Sequence, residues 1–381
     1  MLQLLRRHRY LSRAELARRT GLSEAAVSRI VAELLHDGLV IDQGGEEVTG
    51  GRPAIRLQLN ETRCEAIGVD ILNWETRISI GTITGRILNT RRFRTPARPE
   101  RALQMVAEQV KALDAELPHS ELRPVGVTIR GLVNSDTGVA ELGSDPSWVR
   151  IPVRQYLTGE LARTVCVENN VRAAAQAEHY YGDPEIQNSH CLLFVMVGEG
   201  VGMGIMLDGL VYRGPRMAAG EVGQMVIAES PSDQRHDRPG CLELLSSDLA
   251  TVARYCRLAG VVSEDIAAST AEQVRRICRL ALSGDSYARQ SVLETCRHLG
   301  IGIANAVWAL DAETVVIDGA ITEAWSLVMP AIREQFPQGK EFLNFNNLIL
   351  RQSALRGEAS IVGAATLPYV PLFSAGQSVG V

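Results

Sequence analysis

The chain has 381 residues and is short of several things. It has only two lysines, Lys111 and Lys340, so its positive charge is nearly all arginine. It has no Cys-x-x-Cys pair. Its seven cysteines (Cys64, Cys166, Cys191, Cys241, Cys256, Cys278 and Cys296) are odd in number and scattered, which argues against a disulfide framework and fits a reducing compartment. Apolar runs such as Leu192–Val197 fall far below the roughly 20 residues of a membrane span. No apolar stretch with a cleavage site comes after Met1, so no secretory leader is expected. There is no internal repeat and no low-complexity segment. Membrane, secreted and fibrous classes are disfavoured, and a cytoplasmic location is expected.

What is present is ordinary globular material. Hydrophobic residues make up 46% and charged residues 22%, a balance that can bury a core and is wrong for a disordered chain. The length predicts two to three domains. The net charge of −5 is unevenly spread. Residues 1–36 carry seven arginines against three glutamates, so a basic head precedes an acidic body. A head of that sign suits a polyanionic partner.

The head reads as two capped helices. Ser12 and Glu15 form a capping box, and Leu11 and Leu16 a hydrophobic staple. Gly21 is the expected stop. Ser23 then caps a second helix, with Leu22 and Val27 as its staple. Val27, Ile30, Val31, Leu34 and Leu35 fall on one helical face, and Asp37-Gly38 ends it. Two helices joined through a short turn containing Gly form a helix-turn-helix pattern. The other face of the second helix carries Glu24, Ala25, Ser28, Arg29 and Ala32. The small residues allow close approach to base edges, and Ser28 and Arg29 can hydrogen-bond to them. Leu39–Ile41 and Ile55–Leu59 read as strands around the Gly-rich stretch Asp42–Pro53, a winged arrangement. Arg52, between Gly51 and Pro53, is placed as an arm for a minor groove. The DNA-contacting set read from the head is Ser23, Glu24, Ala25, Ser28, Arg29 and Arg52.

The body alternates strand and helix patterns. Strands are expected at Ala66–Ile71, Arg77–Ile83, Val125–Ile129, Val165–Val167, Cys191–Val197, Gly204–Leu207 and Thr314–Ile317. Helices are expected at Ala102–Leu117, Leu242–Leu258 and Thr270–Leu282, and Ser286–Leu310 is a long Ala/Ile/Leu-rich stretch. The mix predicts α/β architecture with two lobes.

Several short motifs add up to a resemblance. They are Leu11–Leu39 followed by Gly50–Pro53, then Val69-Asp70, Gly131-Leu-Val133, Glu168-Asn-Asn170, Gly200-Val-Gly202 and Leu207-Asp-Gly209 leading to Tyr212-Arg-Gly214. Ala219–Gly223, Gly240–Glu243 and Leu299–Asn305 come next. In this order and spacing they resemble the ROK family (repressor, open reading frame, kinase), over nearly the whole chain. The family joins winged-helix sugar repressors with sugar kinases. The resemblance implies an N-terminal winged helix-turn-helix over residues 1–62. It implies a body of two actin-like (ribonuclease-H-like) α/β lobes, 63–185 and 186–381, with the C-terminal segment returning to the first lobe.

The resemblance also implies site residues, taken position by position. Family kinases need an Asp-x-Gly-x-Thr turn against nucleotide phosphates; here the stretch reads Asp70-Ile-Leu-Asn-Trp-Glu75. The kinase general base, an Asp after Asn, is Asn170, and an amide cannot take up a proton at neutral pH. Glu199 adds a carboxylate in the second phosphate loop. Kinase activity and an ATP cofactor are therefore not expected. The sugar-binding positions correspond to Gly131, Asn169, Asn170, Glu221, Gln224 and Glu243, a polyol-binding set of amides and carboxylates. Asn169 or Asn170 could instead serve as a helix N-cap. The family's zinc ligands, one His and three Cys, are degenerate. Gln224 replaces the His and Gln234 the first Cys. His236 stands at the second, and only Cys241 is retained, so no zinc is expected.

The expected function is a cytoplasmic transcriptional regulator, a repressor, that binds operator DNA as a homodimer or homotetramer and senses a sugar-like effector bound between the lobes. Two alternatives stay open. One is a sugar kinase with an attached DNA-binding head. The other is a regulator whose body only oligomerises.

Overall fold

The computed structural model describes residues 1–43, 56–116, 123–143, 145–229, 238–261, 269–336 and 347–374. The head begins with three helices, α1 (Leu2–His8), α2 (Arg13–Thr20) and α3 (Glu24–His36). The capping box forms as expected: Ser12 Oγ accepts from the Glu15 amide, and the Glu15 carboxylate accepts from the Ser12 amide. Gly21 takes a left-handed φ of 70° and ends α2. The Ser23 side chain accepts from the Ala26 amide and starts α3. Leu5, Leu11, Leu16, Val27 and Val31 are buried together as the apolar stripe requires. The second staple does not form. Leu22 is 43% exposed while Val27 is buried, because the chain leaves the Gly21 turn on the solvent side.

Strands β1 (Val40–Gln43) and β2 (Arg56–Leu59) pair antiparallel, with Val40 opposite Leu59. Leu11 adds a bridge to Leu57. The tip that carries Arg52 lies outside the described residues. Asn60 and Glu61 tie the end of β2 to its neighbours. Asn60 Nδ2 donates to the Gly38 carbonyl at 2.9 Å, and its Oδ1 accepts from Thr62 Oγ1 at 2.9 Å. Glu61 accepts from Thr84 Oγ1 at 2.7 Å.

The first body sheet contains β3 (Glu65–Ile71), β4 (Glu75–Thr82) and β5 (Ile87–Arg94). After α4 (Pro99–Ala115) come β6 (Val125–Ile129) and a small antiparallel sheet of β7 (Gly131–Asn134), β8 (Val139–Gly143) and β9 (Val149–Ile151). Then come α5 (Val153–Leu161), β10 (Val165–Asn169) and α6 (Asn170–Tyr181). The main order is β10-β6-β3-β4-β5. β6 pairs parallel to both β10 and β3, and β3, β4 and β5 form an antiparallel meander. Parallel strands are covered on both faces, which accounts for the unbroken burial of β6. The periodic positions Leu103, Val106, Val110 and Leu113 of α4 are all buried in this core.

The next group of elements is α7 (Pro184–Gln187), β11 (Cys191–Val197), β12 (Val201–Leu207), β13 (Leu210–Val211), α8 (Leu242–Ser246), α9 (Asp248–Ala259), α10 (Thr270–Leu282) and α11 (Ser286–Leu310). β14 (Thr314–Gly319), α12 (Trp325–Arg333) and β15 (Ile349–Gln352) complete it. The sheet order is β13-β12-β11-β14-β15. The helix expected over Leu242–Leu258 is two helices. Ser247 breaks it, and its side chain accepts from the Ala250 amide as the N-cap of α9.

The chain ends with α13 (Ala359–Thr366), a 3-10 turn and α14 (Val370–Ser374). α13 lies against the first sheet. A Cβ on Gly126 would stand 1.9 Å from the Ala364 carbonyl oxygen, so only glycine allows this approach. α14 packs on α1 of the head. By contacts the chain divides into two compact units, residues 1–173 with 360–381, and residues 174–359. Among the described residues no helix is long and apolar enough to cross a membrane. All seven cysteines are free. Burial pushes the Cys278 and Cys296 thiols up to about 12.

Candidate functional site

The head presents one helix face to solvent. Val27 and Val31 turn inward, and Ser23, Glu24, Ala25, Ser28, Arg29 and Ala32 are all exposed. The helix that carries them is capped, 13 residues long and set on a buried core, so these side chains are offered from a rigid element. Arg9, Arg13, Arg18, Arg19 and Arg29 make no ion pair within 4 Å to a described carboxylate, whereas the body arginines Arg77, Arg91, Arg123, Arg163 and Arg172 are each paired. Cations gathered on the head without such pairing keep their charge available for a polyanion. Arg52 is not among the described residues.

In the first unit the turn after β3 is closed. The Leu72 amide donates to the Glu75 carbonyl at 3.0 Å, and Thr95 Oγ1 donates to the Leu72 carbonyl at 2.7 Å. Trp74, at the turn, is 65% exposed. Asp70, fully buried, is satisfied from within the unit. Its Oδ1 accepts from Thr128 Oγ1 and Ser360 Oγ, each at 2.8 Å. Its Oδ2 accepts from Arg77 Nη2 at 2.6 Å and Nε at 3.2 Å. Every strong acceptor site of this carboxylate is taken. Sequence reasoning named Asp70 but missed Arg77, Thr128 and Ser360. Arg77 had a signal, a cation in an otherwise apolar strand, directly opposite Asp70 in the hairpin register.

Gly131 and Asn169 come together. Asn169 Nδ2 donates to the Gly131 carbonyl at 2.8 Å. Asn169 Oδ1 accepts from the amides of Val171 and Arg172 at 2.9 and 3.0 Å. The side chain thus serves as the N-cap of α6, and its polar atoms are engaged. Gly131 has φ 98°, and a Cβ there would lie 2.3 Å from the Leu142 carbonyl oxygen. Asn170 is buried as the first residue of α6. Beneath them the buried Glu168–Arg172 pair (2.7 Å) is anchored by Arg172 Nη2 donating to the Val133 carbonyl.

Glu221, Gln224 and Glu243 belong to the second unit. Glu221 and Gln224 are exposed around the 3-10 turn Val222–Gln224. Glu243, in the first turn of α8, accepts from the Val201 amide at 3.1 Å and so holds the loop that precedes β12. That loop, Gly198–Gly200, closes with the Gly198 amide donating to the Gly200 carbonyl, and Glu199 sits within it. Asp318, at the end of β14, is also engaged, accepting from the amides of Gly319 and Gly357 at 2.9 and 3.0 Å.

The residues do not fit a structural zinc. Gln224 offers only an exposed neutral amide where an imidazole is needed. Cys241 is buried, and its backbone bridges to Val226. Gln234 and His236 lie outside the described residues. Among the described residues no three His, Cys, Asp or Glu side chains come together as a metal site.

Comparison with known proteins adds to this geometry. The ROK family profile matches residues 66–369, and a winged helix-turn-helix DNA-binding profile matches residues 1–41. The chain is 25% identical over 368 residues to the xylose repressor of Caldicellulosiruptor bescii, covering 94% of this chain and 92% of that protein. It is 27% identical over 327 residues to the DNA-binding transcriptional dual regulator NagC of Escherichia coli K12, covering 84% and 80%. Among solved structures, a ROK family transcriptional regulator, a homologue of the E. coli MLC protein, superposes with a TM-score of 0.77 at 25% identity, over 94% of this chain and 91% of that one. A ROK glucokinase from Streptomyces griseus, solved with glucose and AMPPNP, has a TM-score of 0.67 at 24% identity, over 80% and 98%. It shares the fold of the body, which is the actin-like one.

Proposed function

The chain belongs to the ROK family, and from that membership we propose that it is a DNA-binding transcriptional regulator, a repressor, whose body answers to a sugar or sugar derivative. The carrying observation is the head. A winged helix-turn-helix turns an uncovered face with Ser28 and Arg29 outward and leaves Arg13, Arg18, Arg19 and Arg29 without a salt bridge to any described carboxylate. In the helix-turn-helix mode the second helix enters the major groove, and a symmetric dimer meets half-sites about 34–36 Å apart. Ser23, Glu24, Ala25, Ser28 and Arg29 then reach bases and adjoining phosphates, and Arg52 enters a minor groove. The protein acts in the cytoplasm as a homodimer or homotetramer.

The body does not catalyse phosphoryl transfer. The Asp70 carboxylate is spent on Arg77, Thr128 and Ser360, and Asn170 cannot act as a base. The effector positions are Gly131, Asn169, Asn170, Glu221, Gln224 and Glu243. A sugar regulates only if it binds the DNA-competent and incompetent arrangements with different affinity. One observation favours the alternative of a body without ligand: the Asn169 side chain is already engaged by α6 and Gly131.

The test is a binding titration on duplex DNA from upstream of the protein's own gene, with a thermal-shift screen of sugars, sugar phosphates and polyols. A ligand at 100 times its Kd raises native stability by about 2.7 kcal/mol. A hit that also changes DNA affinity supports the sugar-responsive repressor. DNA binding with a flat screen supports the ligand-free body. Sugar-dependent ATP turnover lost in Asn170→Ala overturns the non-enzymatic reading.

A further inference from the structure

We infer that the corner between α1 and α2 is a second DNA-contact site, a phosphate clamp made by Arg9, Arg18 and Arg19 and set by His8. The inference rests on the DNA-binding reading of the head and goes beyond the α3 face and Arg52.

Arg7, His8 and Arg9 at the end of α1 and Arg18 and Arg19 at the end of α2 are all exposed. Arg19 Nη1 lies 3.1 Å from His8 Nε2. A guanidinium only donates, so Nε2 accepts and the His8 ring is neutral, with its proton on Nδ1. Partial burial and then the charges of Arg19 and Arg7 lower the His8 pKa, against a smaller opposing effect of Glu15. The ring therefore orients Arg19 without adding a repelling charge.

Glu15 attracts Arg18 and Arg19 at a distance but makes no salt bridge to either. Glu15 Oε2 accepts from both the amide and the hydroxyl of Ser12 at 2.8 Å. Arg9, Arg18 and Arg19 form no salt bridge to any described carboxylate. Arg9, the C-cap of α1, is held at a positive φ of 59°, which fixes where the chain turns from α1 towards α2. Arg18 and Arg19, exposed and without a salt bridge on the first helix of a helix-turn-helix, match the part of such a motif that crosses the DNA backbone. The ligand class is the phosphodiester backbone, read without sequence preference.

The experiment measures binding of the full chain to sheared genomic duplex DNA over a range of KCl concentrations. The Arg18→Gln/Arg19→Gln variant removes charge at exposed positions, and circular dichroism checks its folding. Loss of two phosphate contacts lowers the slope of log K against log salt by about 1.8. Arg18→Lys/Arg19→Lys restores the slope, which a purely structural role would not require. An unchanged slope in the folded glutamine variant, with wild-type binding intact, overturns the clamp and spares the DNA-binding reading. A wild-type chain that binds no duplex DNA at low salt overturns both.

Discussion

The guanidinium of Arg6 lies over the ring of Phe373, 5.4 Å from its centroid. Residues from the two ends of the chain thus meet, and the first helix of the head is seated on the last described helix. Both side chains are buried. Phe373→Ala is expected to cost about 3–5 kcal/mol, as for other buried Phe truncations. The loss should register first in the head, as proteolytic cleavage near α1 at urea concentrations that leave the body protected. Equal protection of head and body would contradict this seating.

Asp70 and Arg77 form a buried pair on neighbouring strands. Arg77→Ala leaves an uncompensated carboxylate and should destabilise by about 3–5 kcal/mol. Asp70→Ala combined with Arg77→Ala should recover a large part of that loss. A double-mutant cycle by urea unfolding measures the coupling, and additive losses would mean that the pair is not coupled.

Two glycine substitutions should have opposite signs. Gly126→Ala drives a methyl into the Ala364 carbonyl oxygen, and overpacking of this kind costs about 1–3 kcal/mol or more. Gly159, inside α5, has nothing within 4 Å of an added Cβ. Gly159→Ala should therefore stabilise by about 0.5–1 kcal/mol. Thermal unfolding of the two variants decides.

Glu178 is fully buried, accepting from Ser353 Oγ at 2.7 Å and the Ala354 amide at 2.9 Å. Burial, reinforced by Asp318, raises its pKa above the ordinary 4.5 despite these donors. A raised carboxyl binds its proton more tightly in the folded state. Its contribution is therefore full below pH 4.5 and is lost as pH rises through the raised value. Glu178→Gln should flatten this part of the stability profile, read as urea midpoints from acid to neutral pH. A mutant profile parallel to that of the wild type would contradict the assignment.

Much of the head was legible because its signals are local. The Ser12–Glu15 box and the Val27–Val31 stripe each lie within one or two turns, and both formed. Leu22 misled because a staple depends on the direction in which the chain leaves Gly21, which the residue type does not encode. The helical pattern over Thr270–Leu282 matched α10, but Ser247 split the helix between α8 and α9 with a polar cap that the apolar pattern had overrun. In the body the ring around Asp70 was only half visible. Arg77 is seven residues away across a hairpin, whereas Ser360 is 290 positions distant and is delivered by α13. Asn169 shows the same limit from the other side. Its N-capping role was readable locally, but its bond to Gly131 depends on how β10 and β7 are placed.

The ring around Asp70 also bears on how the first unit is assembled. Three side chains from three separate elements share one carboxylate: Arg77 from β4, Thr128 from β6 and Ser360 from α13. Asp70 stands on β3, the middle strand of its sheet, and Ser360 arrives from 290 positions further along the chain. The buried charge is therefore fully satisfied only once α13 has docked. The carboxylate works as a latch: it ties the late-made end of the unit to strands that the ribosome releases long before, and a chain cut short of Ser360 would leave one of its acceptor sites empty.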